Sequence, residues 1–255
     1  MELIIIGAGG HGRVVLDIIQ AAKQYKPVGF LDNNLALHGR RVDGLPVLGD
    51  ALQLPELRQR GIRKAVIAIG DNGARRAIGD SLTQNGFELV SAIHPSARIA
   101  SNASLGKGVV VAAGSLVCAH CQIGDYVILN TGCIVDHESM IGTAAHICPG
   151  VRLAGHVTVE SGAFVGIGST VIQGVRVGFE SIVGAGAVVI RDVDPMTTVV
   201  GVPARAIKDA PSPGEFESLI APTADTKAKH MPKLKPAAKS SSSQDERSRA
   251  KTVRS

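Results

Sequence analysis

The sequence contains no Trp, and only five Phe and two Tyr stand among its 255 residues. A core without large aromatic plugs must be filled by small and β-branched side chains, which favours a repetitive β structure. Long apolar runs are missing too. None approaches the roughly 18 residues of a membrane span, so membrane insertion is not expected. No basic stretch with a cleavage site precedes Leu3-Ile4-Ile5-Ile6, and a cytoplasmic location is expected on that ground. Positive charge is scarce where a fold would need it. Of the net charge of +5, residues 211–255 hold +4, with nine Lys/Arg against five Asp/Glu. No basic stripe interleaved with aromatics remains, so nucleic acid is not an expected partner. The Lys-, Ser- and Pro-rich stretch over 209–255 reads as a disordered extension.

What the chain does have is a period. Every sixth residue from Ile93 through Ile99, Leu105 and Val111 to Val189 is Ile, Leu or Val, seventeen positions without a break. A second column with the same step, from Ala97 through Ala103, Ser115, Cys121 and Cys133 to Val193, holds small residues and Val throughout. A six-residue period does not match the 3.6 of a helix; it is the hexapeptide signature of a parallel β-helix. The aliphatic residue points into a triangular prism, and the small residue sits where the chain turns. Three hexapeptides make one coil, so residues i and i+18 stack one rung apart, roughly 4.8 Å. Such a solenoid has open ends that need covers, for which the preceding domain and the segment Asp194–Lys208 are available.

Residues 1–90 read as α/β: strand 3–7, a helix to about Gln24, strand 27–31, helix 50–60, strand 64–69, helix 73–85 and strand 88–93. The fold class expected is therefore α/β plus β, with a small Rossmann-like domain over 1–90, a left-handed parallel β-helix over 91–208, and the tail over 209–255. The first loop, Gly7-Ala8-Gly9-Gly10-His11-Gly12, satisfies GxGxxG, and Asp32 follows Gly12 by twenty residues. That spacing suits phosphate held at a helix N-terminus and ribose held by an acid. An NAD-dependent oxidoreductase is disfavoured, because ninety residues make about half a dinucleotide fold and the solenoid leaves no room for a separate catalytic domain.

Histidines gather in the solenoid at His120, His137, His146 and His156. His137 falls on a turn, pointing outward, with Asp136 and Glu138 on either side. Acyl transfer from a thioester needs a base for the attacking amine or hydroxyl, and imidazole serves near neutral pH. A carboxylate beside it raises its basicity; spacing alone does not choose between Asp136 and Glu138. His120, Glu138 and His156 share one column at a step of eighteen. That column could bind a metal or form a polar network supporting His137; the second is the expectation, and no metal is expected. No two of the four cysteines are eighteen apart, so neither disulfides nor a Cys cluster is expected.

Several stretches together resemble the bacterial sugar O/N-acetyltransferases of the hexapeptide superfamily, both sialic-acid-type and UDP-4-amino-sugar-type. They are Gly7–Gly12 with Arg13, Phe30-Leu31-Asp32-Asn33, Ala68-Ile69-Gly70-Asp71-Asn72, Leu129-Asn130-Thr131 running to His137-Glu138, and Gly201-Val202-Pro203-Ala204-Arg205. The resemblance implies His137 as general base and Glu138 as the residue that raises its basicity. It implies a nucleotide-sugar pocket at Gly10, His11, Gly12, Asp32, Asn33 and Gly70. It places acetyl-CoA, as co-substrate, between subunits near His146, Gly155, Ile167 and Ala185, in a homotrimer. The competing readings are an acetyltransferase for a non-nucleotide acceptor, such as serine or free sialic acid, and a non-catalytic β-helix scaffold. The basic tail has no counterpart in the family pattern.

Overall fold

The computed structural model describes residues 1–207; the tail expected over 209–255 lies outside the described residues. The N-terminal part runs β1 (Glu2–Ile6), α1 (Gly10–Ala22), β2 (Lys26–Leu31), β3 (Arg41–Val42), β4 (Leu45–Gly49), α2 (Leu54–Gln59), β5 (Lys64–Ile67), α3 (Asn72–Gln84) and β6 (Glu88–Leu89). The sheet order is β3-β4-β2-β1-β5-β6. Pairing is parallel except between β3 and β4. Leu3, Ile4 and Ile5 of the central strand are all buried, as expected when helices cover both faces of a parallel sheet. No helix among the described residues is long and apolar enough to cross a membrane.

Three local features differ from the sequence reading. The β3–β4 hairpin was not anticipated, although its Asp43-Gly44 turn has positive φ at both residues, the usual two-residue hairpin connection. The helix expected over 50–60 is a 3-10 turn, Ala51–Gln53, followed by α2. Asp50 caps the turn by accepting from the Leu52 amide at 2.9 Å. The strand expected over 88–93 is two strands, β6 in the first sheet and Ala92–Ile93 opening the solenoid.

From Ala92 the chain climbs in two-residue strands, each paired in parallel with the strand eighteen residues on. Three faces result. The first carries Ala92–Ile93, Val110–Val111, Ile128–Leu129, His146–Ile147, Phe164–Val165 and Ile182–Val183; the second begins at Arg98–Ile99 and the third at Ser104–Leu105. The sixth-residue column points inward, with Val111, Leu129, Ile147, Val165 and Val183 fully buried. Each such side chain contributes about 1.5–3 kcal/mol on leaving water. The second column is also internal. Ser139 shows how a polar member is satisfied there: its hydroxyl donates to the Ala154 carbonyl and accepts from the Val157 amide.

The N-terminal domain does not cover the open end of the prism. Ile93 is 37% exposed, and Ile99 and Leu105 of the first coil are only half-buried. The domain instead packs along the first face. Val15, Ile18 and Ile19 of α1 share a cluster with Ala92, Val110, Ala112 and Ile128, and Leu82 and Phe87 pack with Tyr126 and Ala144. The reason lies in the outward-facing strand residues. On the first face they include Ala92, Val110, Ile128 and Ile182, all buried. On the third they are Ser104, Gln122, Met140, Thr158 and Arg176. At the far end, Thr198–Val200 extends the first face and pairs with Arg205–Ala206, and Val199 is buried over the last coil.

Candidate functional site

His137 and Glu138 form the turn between Ile134–Val135 on the second face and Met140–Ile141 on the third. That edge lies opposite the face carrying the N-terminal domain. From Gly108 to Gly186, each edge turn places its second residue in the left-handed region. His120, Glu138 and His156 occupy that position at φ 59°, 57° and 58°, so the column read from the period of eighteen is real.

The geometry separates the two carboxylates that flank His137. Asp136 Oδ1 accepts from the His137 amide at 2.7 Å and so fixes the turn. That bond is also the main reason its carboxyl is held below the usual carboxylate range. Glu138 reaches the ring: its Oε2 lies 3.1 Å from His137 Nδ1 and 3.1 Å from His156 Nε2. A carboxylate only accepts, so Nδ1 of His137 carries the hydrogen and Nε2 is left with a free lone pair. The ring lies over Gly155, where a Cβ would sit 2.5 Å from Nε2 and Cε1. His156 meets His137 edge-on at 5.2 Å between centroids. His120 is further down the column, with Nε2 3.1 Å from Asn102 Nδ2.

The expected nucleotide pocket residues lie at the C-terminal ends of the parallel strands, where ligands of such sheets bind. A cavity of roughly 350 Å³ is lined by Gly7, Leu31, Asp32, Asn33, Ile69 and Ser81, among others. Gly12 is forced by packing, since a Cβ would fall 2.3 Å from the Gly7 carbonyl oxygen. A Cβ on Gly9 or Gly10 would meet nothing within 4 Å among the described residues. The free amides of that helix start are open to an anion. Asp32 accepts from the amides of Ala8 (2.7 Å) and Asn34 (2.8 Å), so its carboxylate ties the glycine loop to the end of β2.

His11 and His146 meet at the junction of domain and solenoid, their ring centroids 6.4 Å apart. His146 is not on an edge: it faces outward from the first face, under the N-terminal domain, between His11 and Phe164. Burial, with the Arg75 guanidinium adding to it, pushes His11 down to about 4 and His146 down to about 3. Both are therefore neutral at pH 7. His146 Nε2 lies 3.3 Å from Asn130 Nδ2, and His11 Nε2 is buried with no hydrogen-bond partner among the described residues. Ile167 and Ala185 stack on the edge between the first and second faces, both exposed, and so stand apart from His137 and Gly155.

Arg75 is the residue that sequence reasoning missed. It is completely buried and donates to the carbonyls of Gly70 and Ile69 on the pocket side and of Tyr126 and Ala144 on the solenoid side. It thereby fixes the Gly70 loop against the first face. No motif marks it, because its solenoid partners, the carbonyls of Tyr126 and Ala144, are 51 and 69 residues away in sequence.

Fold and edge together define a hexapeptide-repeat acyltransferase preceded by a Rossmann-like domain. Residues 2–82 match the family model described as the PglD N-terminal domain. GDP-perosamine N-acetyltransferase of Escherichia coli O157:H7 is 31% identical over 222 residues, covering 82% of this chain and 97% of the relative. The crystal structure of PerB from Caulobacter crescentus, in complex with CoA and GDP-perosamine, is 43% identical with a TM-score of 0.78, covering 82% of this chain and 98% of that one. The acetyltransferase domain of PglB from Neisseria gonorrhoeae, in complex with acetyl coenzyme A, is 35% identical with a TM-score of 0.76, covering 81% and 98%. The chain belongs to this family of sugar N-acetyltransferases.

Proposed function

We propose that the protein transfers an acetyl group from acetyl-CoA to the amine of a nucleotide-linked sugar, with His137 as general base. The observation that carries this reading is the Glu138–His137 pair on the solenoid edge, in which the carboxylate holds Nδ1 at 3.1 Å and leaves Nε2 as the nitrogen that can take a proton. The acceptor nitrogen attacks the thioester carbonyl and gives its proton to Nε2. The tetrahedral intermediate collapses, the C–S bond breaks, and the proton passes to the departing CoA thiolate. Glu138 stabilises the imidazolium that forms in between. In this reading residues 1–90 hold the acceptor's nucleotide around Gly10, His11, Gly12, Asp32, Asn33 and Gly70. Residues 91–208 perform the transfer. Acetyl-CoA lies in the groove between subunits, near His146, Gly155, Ile167 and Ala185, so that residues from different edges reach it from adjacent chains. The GDP-perosamine bound in the 43%-identical relative favours a nucleotide-linked amino sugar as acceptor class, and the co-substrate favours a cytoplasmic location.

The same geometry supports a homotrimer. The N-terminal domain sits on the first face, and His137 stands on the edge opposite to it. One chain alone therefore keeps its pocket and its base apart, and a neighbouring copy must bring them together. Three prisms around a threefold axis satisfy this for every chain with closed symmetry.

The test is thiol release from acetyl-CoA with a panel of UDP-, GDP-, TDP- and CMP-linked amino sugars. At least one should be acetylated, and His137→Ala should lower turnover by about 10²–10⁴-fold with acetyl-CoA binding little changed. Full activity in that variant removes His137 from the mechanism. Acetylation of free sugars or serine in preference to every nucleotide sugar removes the nucleotide pocket.

A further inference from the structure

The edge that carries His137 and Glu138 adds a third donor, His156, that the transfer step itself does not use. Glu138 Oε2 lies 3.1 Å from His137 Nδ1 and 3.1 Å from His156 Nε2, and the donor atoms of the three residues all fall within 4.8 Å of one another. We infer that His137, Glu138 and His156 bind one Zn²⁺ ion, and that the ion switches the base off. The binding stands on this geometry alone; its effect on turnover rests on the acetyl-transfer reading.

Two imidazole nitrogens and one carboxylate oxygen make a recurrent zinc donor set, with the fourth tetrahedral position left to water. Bonds of about 2.0–2.1 Å put neighbouring donors about 3.3 Å apart. Both N···O separations are already close to that. The remaining N···N separation closes by rotation of side chains that are 51% and 60% exposed. The two rings stand at 88° to each other, so each can direct a nitrogen at a common point. Their backbones are held on adjacent rungs, with the His156 amide donating to the His137 carbonyl at 2.9 Å. Among the described residues the ion-pair partners of Glu138 are these two imidazoles, so no lysine or arginine offsets its charge.

The ion takes the lone pair at His137 Nδ1. The hydrogen that Nδ1 carried then resides on Nε2, the nitrogen that must receive the proton of the attacking amine. His156 Nε2, which faces the same carboxylate, likewise passes its hydrogen to its own Nδ1; with both rings neutral no proton is gained or lost, both tautomers change, and the base is blocked. His156 acquires a role in the same step, as the ligand that turns a catalytic pair into a metal site.

The experiment titrates Zn²⁺ into untagged, metal-stripped full-length protein without substrates, by calorimetry, with Co²⁺ absorption as a probe of tetrahedral coordination. One ion per chain is expected. His156→Asn and Glu138→Gln should each weaken Zn²⁺ binding by about 10-fold or more, with the metal-free melting temperature nearly unchanged. The Zn²⁺ concentrations that fill the site should stop thiol release, a chelator should restore it, and His156→Asn should raise the inhibitory concentration by the same factor. Wild-type binding no tighter than that of the double variant E138Q/H156N overturns the site. Stoichiometric binding with undiminished turnover overturns the switch. Protein that binds Zn²⁺ but acetylates no nucleotide sugar leaves the site standing and counts against the acetyl-transfer reading instead.

Discussion

Substitution of Gly155 by Ala isolates the placement of the base. A Cβ at this position falls 2.5 Å from His137 Nε2 and Cε1 and 3.0 Å from Nδ1. Ordinary contacts between such atoms are about 3.5–4.0 Å, so the ring must retreat by about 1 Å. The Nδ1–Oε2 hydrogen bond, now 3.1 Å, would then lengthen to about 4 Å, beyond hydrogen-bond range. A displacement of that size in a reacting group costs about 10²-fold in rate, equivalent to about 3 kcal/mol of barrier. Stability should not fall. Gly155 is not among the glycines with positive φ, so Ala suits its backbone, and the half-exposed ring can swing into solvent. The assay is steady-state thiol release at varied acetyl-CoA, beside a thermal melt. The expected result is a kcat lowered about 10²-fold with an unchanged melting temperature. A wild-type kcat with only a raised KM for acetyl-CoA would refute the reasoning: the base would then not depend on the space left by Gly155, which would serve acetyl-CoA alone.

The opposed positions of pocket and base predict complementation. His137→Ala and Gly10→Glu (the latter placing a carboxylate where phosphate should bind) should each be inactive alone. Co-assembled in equal amounts they should regain about a quarter of wild-type activity, because a closed oligomer forms intact sites from two defective chains; no recovery would place base and pocket in one chain. Acid should destabilise the fold through His11 and His146, whose values in the folded chain are about 4 and about 3 against an ordinary 6.5. Between those limits the unfolded chain binds more protons, so their contribution is complete above about pH 6.5 and is lost as pH falls towards 4 and 3. Urea midpoints measured from pH 8 to pH 5 should decline, and His146→Asn should flatten the decline; a midpoint that rises on acidification would contradict the burial of these rings.

The solenoid was legible because its signal is periodic and one-dimensional: a residue's place modulo six gives inside or outside, and modulo eighteen gives its face. The flank on which the N-terminal domain docks was present in the same sequence. Ala92, Val110, Ile128 and Ile182 are apolar at the outward strand position, whereas Ser104, Gln122, Thr158 and Arg176 are not. That contrast emerges only when the columns are sorted by face. The choice between Asp136 and Glu138 was not readable from spacing, since each is one residue from His137. It depends on φ of 57° at Glu138, which turns its side chain up the column while Asp136 folds back on the His137 amide. The burial of His146 was not readable from sequence, because its address is an outward strand position and imidazole chemistry alone does not reveal that a domain covers it. Arg75 left no trace, as the acceptors that tie it to the solenoid are carbonyls 51 and 69 residues away.

Backbone conformation adds an independent argument for where chemistry resides. On the edge between the first and second faces, the left-handed position is Gly at 114, 132, 150, 168 and 186, the residue that adopts it without strain. On the edge of His137, three successive coils place His120, Glu138 and His156 there instead. A non-glycine residue in that region costs roughly 1–2 kcal/mol, so the column costs roughly 3–6 kcal/mol, a large part of the usual 5–15 kcal/mol of net stability. Packing offers no return, because all three side chains are exposed. The third edge also places non-glycine residues in this region, but Tyr126 and Ala144 are buried there against the N-terminal domain; on the edge of His137 three successive coils keep exposed residues in it, and what those side chains do explains the strain. The carboxylate that orients the base and the imidazole that holds the carboxylate both have to leave the prism at the turn itself. Only from that position do they stack on consecutive rungs within hydrogen-bonding reach of each other.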